Sequence, residues 1–265
     1  MPNFPRPSAA EILSALPGLS PYARRAVILD VSRGAPGVRD SSIGGPLLWP
    51  RTETWPSCSF PDEVEESGFP AVAMVPVAQI FAADVPGPWW PEGFDLLQLL
   101  WCPNTHWETP GNQAEVSPIV ELRWRRAADV HDILETPPQP ARYDVDDCYT
   151  LTPCSFTTEE LIDFPYYEEL PEALRPPLQK LIEQHSPPGT RGDVITCLPG
   201  WKVGGWPTWR LNEPRPIDCE VCGTAMVLLF TIASDDTVGT NVGRFGELRI
   251  FVCPDHPGEF EADQH

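Results

Sequence analysis

Four residues near the C-terminus have the types and spacing of a metal site: Cys219-x2-Cys222 and Cys253-x2-His256, with thirty residues between the pairs. Thiolates and a neutral imidazole are donors that Zn2+ takes in a tetrahedron, and two short-spaced pairs on separate turns can close one around it. Gly223, directly after the first pair, supplies the backbone freedom that a tight knuckle turn needs. Four protein ligands leave no position for water, so such a zinc is structural; the alternative is two ordinary turns with buried free thiols. A thinner version stands earlier, in Cys58, Cys102 and His106, where Ser59, Phe60 and Pro61 follow Cys58 and no second cysteine completes the pair. It reads as a degenerate metal site, with packing as apolar core the alternative. Cys148 and Cys154 lie outside both sets and read as free thiols.

The segments that would position these residues occur twice. Ser42-Ile43-Gly44-Gly45-Pro46-Leu47-Leu48-Trp49 precedes Cys58, the apolar run Met74 to Ile80, Leu97 to Trp101 and Cys102. Trp201-Lys202-Val203-Gly204-Gly205-Trp206-Pro207-Thr208-Trp209 precedes Cys219, Met226 to Ile232, Leu248 to Phe251 and Cys253. Landmarks that keep their order while their offset drifts slowly are what duplication followed by loop-length change produces. Two copies are too few for an open solenoid, which needs about three, so a paired, pseudo-twofold arrangement is expected.

Prolines number 34 in 265 residues, which excludes long helices from most of the chain and favours short strands joined by shaped turns. Ser8 with Glu11 forms a capping box for a short helix, and Ala26 to Val31 is the first strand. Cys58 to Phe69 is a polar, acidic loop; Ala71 to Ile80, Leu96 to Trp101 and Val116 to Trp124 are further strands. Thr136 to Pro140 is a linker. Ser155 to Ile162, with hydroxyls ahead of Glu159 and Glu160, reads as a short capped helix, Gln179 to His185 as another, and Pro187-Pro188-Gly189 as the return to the second copy. The fold class is therefore α+β, mainly β: two duplicated units, residues 1–140 and 191–265, around a linker and helical insert at 141–190.

Thirty-eight acidic against 18 basic residues give a net charge of −20, which repels a phosphate backbone and argues against nucleic acid. It suits a basic polypeptide, or simply solubility. The N-terminus, Met1-Pro2-Asn3-Phe4-Pro5-Arg6, has no apolar signal region, and no run approaches a membrane span, so a cytoplasmic protein is expected, its eight cysteines free or metal-bound rather than bridged. A nucleophilic reading can pair Cys102 with His106 or Cys197 with His185, but no Gly-x-Ser-x-Gly, Walker A or Gly-x-Gly-x-x-Gly pattern occurs. The carboxylate runs Asp62 to Glu66 and Asp144 to Asp147 read as solvated loops. Trp49, Trp206 and Trp209, held on the Gly-Gly turns, can line a peptide groove or anchor a core.

The Gly-Gly-x-Pro-x-Trp-like turn, Cys-x-x-Cys-Gly, the Met-x-Leu-Leu strand and the closing Phe-Val-Cys-Pro-x-His-Pro together resemble the YwqG-like family of bacterial proteins. Ile43-Gly44-Gly45-Pro46 and Val77-Ala78-Gln79-Ile80 resemble that family's N-terminal half. The family is similar in turn to the eukaryotic programmed-cell-death-2 proteins, dedicated chaperones of a ribosomal protein. The resemblance implies a duplicated β-rich fold that binds a protein, as a chaperone or an immunity partner, rather than an enzyme. A cysteine-dependent hydrolase or transferase is the alternative.

Overall fold

The computed structural model describes residues 7–58, 71–107, 116–141, 146–185, 195–209 and 212–264. Asp62 to Glu66, Asp144, Pro187-Pro188-Gly189 and the loop after Cys58 up to Phe69 lie outside the described residues. The protein is mainly β, with 33% strand and 16% helix, as its proline spacing requires. In chain order the strands are β1 (Arg24–Arg33), β2 (Ser42–Ile43), β3 (Ser57–Cys58), β4 (Val72–Ala73), β5 (Val75–Phe81), β6 (Leu96–Trp101) and β7 (His106–Trp107). They continue with β8 (Val116–Ser117), β9 (Val120–Arg125), β10 (Cys154–Asp163), β11 (Lys202–Gly204), β12 (Val227–Ala233), β13 (Glu247–Val252) and β14 (Phe260–Gln264). Ten of these form one sheet in the order β14-β13-β12-β11-β1-β10-β2-β5-β6-β9; β3 with β4 and β7 with β8 make separate pairs.

β1 and β10 lie at the centre, antiparallel over ten residues from Arg24 opposite Asp163 to Arg33 opposite Cys154. This corrects the helix expected at Ser155 to Ile162. The hydroxyl and carboxylates there are a local cap signal, but Phe156 packs against the core and the whole segment closes a ladder on β1, so long-range pairing overrides a weak local preference. The helical insert shrinks to α2 (Arg175–His185) and short 3-10 turns. α2 begins ahead of Gln179 because Pro176 and Pro177 sit in its first turn, where a missing N–H costs nothing. At the other end of the chain, α1 (Ala9–Ala15) has the anticipated capping box: Glu11 N donates to Ser8 Oγ at 3.3 Å and Ser8 N to Glu11 Oε2 at 2.8 Å. α1 and α2 share a small apolar cluster through Ile12, Leu178 and Ile182. Among the described residues, no helix is long and apolar enough to cross a membrane.

Every strand of the large sheet contributes to one apolar cluster, from Leu122 and Leu99 through Ile43, Val27 and Val203 to Leu229, Ile250 and Ala262. The sheet is nearly closed. On β9, Trp124 Nε1 donates to Pro257 O ahead of β14 at 2.8 Å, and its ring meets Trp90 edge-on at 5.7 Å, which ties the two ends of the sheet together. β14 has only a faint strand signal: Phe-Glu-Ala-Asp-Gln alternates apolar and polar but holds just two apolar residues, and its pairing with β13 supplies what the pattern lacks.

An ion pair is buried where the central strands meet β11. Lys202 Nζ donates to Asp163 Oδ2 at 3.0 Å, to Leu198 O at 2.7 Å and to Trp206 O at 2.6 Å. Asp163 accepts further N–H bonds from Phe164, Leu198 and Trp206, so both charges are satisfied by directed hydrogen bonds. The Gly-Gly turn belongs to this arrangement. Gly204 and Gly205 have φ of +71° and +76°, and a Cβ at Gly205 would stand 2.6 Å from Asp163 Oδ2, so only glycine fits there.

Candidate metal centre

The Cys219–Cys222 turn is built by its backbone. Gly223 N donates to Cys219 O at 2.8 Å and Cys219 N to Thr224 O at 2.9 Å, with Asp218 bridged to Ala225 below. Gly223 adopts φ +69°, where nothing lies within 4 Å of a Cβ; the dihedral, not the space, demands glycine. Cys253 follows β13 directly, its N donating to Glu259 O at 3.0 Å while Glu259 N donates to His256 O at 2.8 Å. Thr224 Oγ1 then donates to Asp255 Oδ2 at 3.1 Å and ties the two turns together.

The four ligand atoms of Cys219, Cys222, Cys253 and His256 lie within 4.8 Å of one another. Cys222 Sγ is 3.6 Å from Cys253 Sγ, which is 3.7 Å from His256 Nδ1. A tetrahedron with Zn–S of about 2.3 Å and Zn–N of about 2.0–2.1 Å has edges of about 3.8 and 3.6 Å, so the Cys222–Cys253 and Cys253–His256 edges already match those of a zinc site. Hydrogen bonds from the Thr224 side chain and backbone hold the Cys222 thiol down at about 6, whereas burial pushes the Cys253 thiol up. The donor set is thus easily deprotonated at its exposed corner.

Cys58, Cys102 and His106 are also brought together, with their ligand atoms within 4.8 Å of one another and Cys58 Sγ 3.6 Å from His106 Nε2. Cys58 ends β3, Cys102 follows β6 and His106 opens β7. All three are buried, and Cys58 and Cys102 belong to an apolar cluster with Leu47, Trp49, Trp55, Met74 and Leu100. Among the described residues, two Cys/His clusters can therefore hold a metal ion.

The tryptophans singled out for partner binding have internal roles. Trp49 is fully buried, with Nε1 donating to Glu53 O at 3.1 Å and its ring 5.0 Å from Trp55. Trp209 is buried between Phe251, at 6.4 Å, and the Arg249 guanidinium, at 4.2 Å. Trp206 is half-buried under the Arg24 guanidinium, 3.4 Å from the ring centroid, and donates to Tyr22 O. Exposed large apolar side chains are instead Phe94, Val221, Val227 and Phe245. Val221 stands at the tip of the Cys219–Cys222 turn, whose two knuckles carry the exposed residues Asp218, Glu220, Asp255 and Glu259. Its sequence signal is present, an apolar residue between the two cysteines of a knuckle, but a tip position follows only from the turn's geometry.

The remaining thiols are structural in placement. Cys154 is fully buried in β10, Cys148 is half-buried, and Cys197 is buried at φ +36° while His185 is exposed at the end of α2. Glu169, which no spacing rule marks, is pushed up to about 7 by burial. A scan against protein-family models finds none that matches, and a search of the curated proteins returns no match.

Proposed function

We propose that the protein is a non-enzymatic, cytoplasmic binding module that holds a basic polypeptide, in the manner of a chaperone or an immunity partner, and that Cys219, Cys222, Cys253 and His256 carry a structural Zn2+. The observation that carries this reading is the charge: 38 acidic against 18 basic residues, with exposed carboxylates on the metal turns that present the apolar Val221. Charge of one sign steers an oppositely charged partner and makes the complex sensitive to salt. A closed four-ligand site suits the rigid presentation of such a turn, because it leaves no coordination position for substrate.

The duplication belongs to the same reading. Outward from the central β1–β10 pair, β11-β12-β13-β14 on one side answers β2-β5-β6-β9 on the other, an order that supports two copies of one unit about a pseudo-twofold. The resemblance to the YwqG-like family supports both the duplication and the binding role.

The exposed Cys222, with its thiol held at about 6, favours the second reading, a cysteine-dependent hydrolase or transferase. Its neighbours, two further thiols and an imidazole, are better suited to a metal. Affinity capture with the full chain at low and high salt separates the two. A stoichiometric basic partner, retained at low salt and released at high salt, supports the binding module; no partner, together with a turnover abolished by thiol alkylation, overturns it.

A further inference from the structure

We propose that Cys58, Cys102 and His106 are a second zinc-binding site, distinct from the one at the C-terminal turns and slower to exchange its metal. The donors come from three separate points of the backbone: the end of β3, the residue after β6 and the start of β7. Cys102 and His106 share one turn, four residues apart, but Cys58 reaches them from 44 residues earlier in the chain, and all three ligand atoms converge within 4.8 Å. The 3.6 Å between Cys58 Sγ and His106 Nε2 matches the edge of about 3.6 Å that a zinc tetrahedron needs between sulfur and nitrogen. The placement also repeats that of the other cluster, for Cys102 follows the fully buried β6 as Cys253 follows the fully buried β13.

Charge explains why such a site is compatible with its surroundings. Two thiolates, a neutral imidazole and Zn2+ sum to zero, and a neutral assembly is the form that can sit among Trp49, Trp55, Met74 and Leu100 without a large desolvation cost. The apolar shell limits access of water and competing ligands. Cys58, Cys102 and His106 are 6%, 1% and 4% exposed, so a chelator reaches their metal only when the β3–β4 and β7–β8 pairs open. At the other site Cys222 is already exposed.

The test uses the full chain purified without added zinc, metal analysis, and release of Zn2+ to a chromogenic chelator. Two equivalents are expected, released in a fast and a slow phase. Cys219→Ser/Cys222→Ser, which leaves one thiol and one imidazole at the C-terminal turns, should remove the fast equivalent and leave the slow one; Cys102→Ser should remove the slow equivalent and leave the fast one. Should Cys102→Ser not fold, Co2+ reconstitution of the wild-type and Cys219→Ser/Cys222→Ser proteins reads the same question, since the charge-transfer intensity of a two-thiolate cobalt site must survive in the double variant. A single equivalent lost with Cys219→Ser/Cys222→Ser, and no such band in that variant, overturns the second site while leaving the first standing. A single equivalent lost only with Cys102→Ser overturns the first and upholds the second.

Discussion

Trp49 and Trp55 pack in one apolar cluster with Cys58 and Cys102, beside the buried His106, whereas Cys222 stands in solvent on a turn whose neighbours are Glu220 and Val221. The donors are alike and the surroundings opposite. Around a divalent ion, three thiolates at the C-terminal cluster leave one net negative charge, which water can solvate at an exposed corner; two thiolates at the buried cluster leave none. The difference teaches that burial and thiolate count go together: an interior metal site is tolerated when its charges cancel, and the surplus thiolate is confined to the surface. It also separates two settings, since the C-terminal turn exposes Glu220 and Val221 to solvent whereas Cys58, Cys102 and His106 are buried.

The largest expected effect breaks the comparison at its exposed end. Cys219→Ala removes a buried ligand of the C-terminal cluster, and structural zinc in small motifs contributes on the order of 10 kcal/mol of apparent binding free energy near neutral pH. Thermal unfolding followed with and without chelator should show the wild type losing a large part of its stability on chelation and the variant starting near that lower level. Equal melting of the two proteins without chelator would remove the structural role. Lys202→Met is the control at the centre. It leaves Asp163 buried without its cation, a loss of about 3–5 kcal/mol, and should lower the stability of the whole sheet without altering metal stoichiometry.

Much of this is legible in the residues. The Cys-x2-Cys and Cys-x2-His spacings locate the C-terminal cluster because its turns are local, made by Gly223 and by hydrogen bonds within seven residues. Cys58, Cys102 and His106 stand out only as a degenerate set, since Cys102 and His106 are close in sequence but Cys58 is brought to them by the β3–β4 and β5–β6 pairings rather than by spacing. β10 looks helical in sequence for the same reason: its cap-like Ser155 and Glu159 are local, while β1, which makes it a strand, lies far away in sequence. The aromatic turns can be located but not their faces, because a tryptophan beside a glycine can point into a core as readily as into a groove.

A smaller effect concerns pH and falls on the C-terminal side. Glu169 is pushed up to about 7 by burial, near the cations of Arg24 and Arg249. Because this folded-state value lies above the ordinary 4.5, its contribution to stability is fully present below about pH 4.5 and is lost as pH rises through about 7. The loss amounts to at most roughly 3 kcal/mol. Glu169→Gln cannot ionise, so its stability relative to wild type should rise across that window. Denaturant unfolding at pH 5 and pH 8 measures it; a constant difference between the two proteins would refute the assignment.

The smallest effect on stability is expected at Val221, and it bears most directly on function. The side chain is 60% exposed, so Val221→Ser should change unfolding free energy by no more than about 0.5 kcal/mol, as for surface substitutions generally. If the C-terminal turn is the face that meets a basic polypeptide, the same change should weaken capture of that partner, and Glu220→Lys beside it should weaken it further and reduce its salt dependence. The buried cluster supplies the contrast, because Cys58→Ser should alter metal content without changing affinity in protein that remains folded. Titration of the captured partner against the three variants, each checked for melting temperature, reads both sides. Unchanged affinity in Val221→Ser and Glu220→Lys would move the contact surface elsewhere on the acidic exterior and leave the exposed metal turn as a purely structural feature.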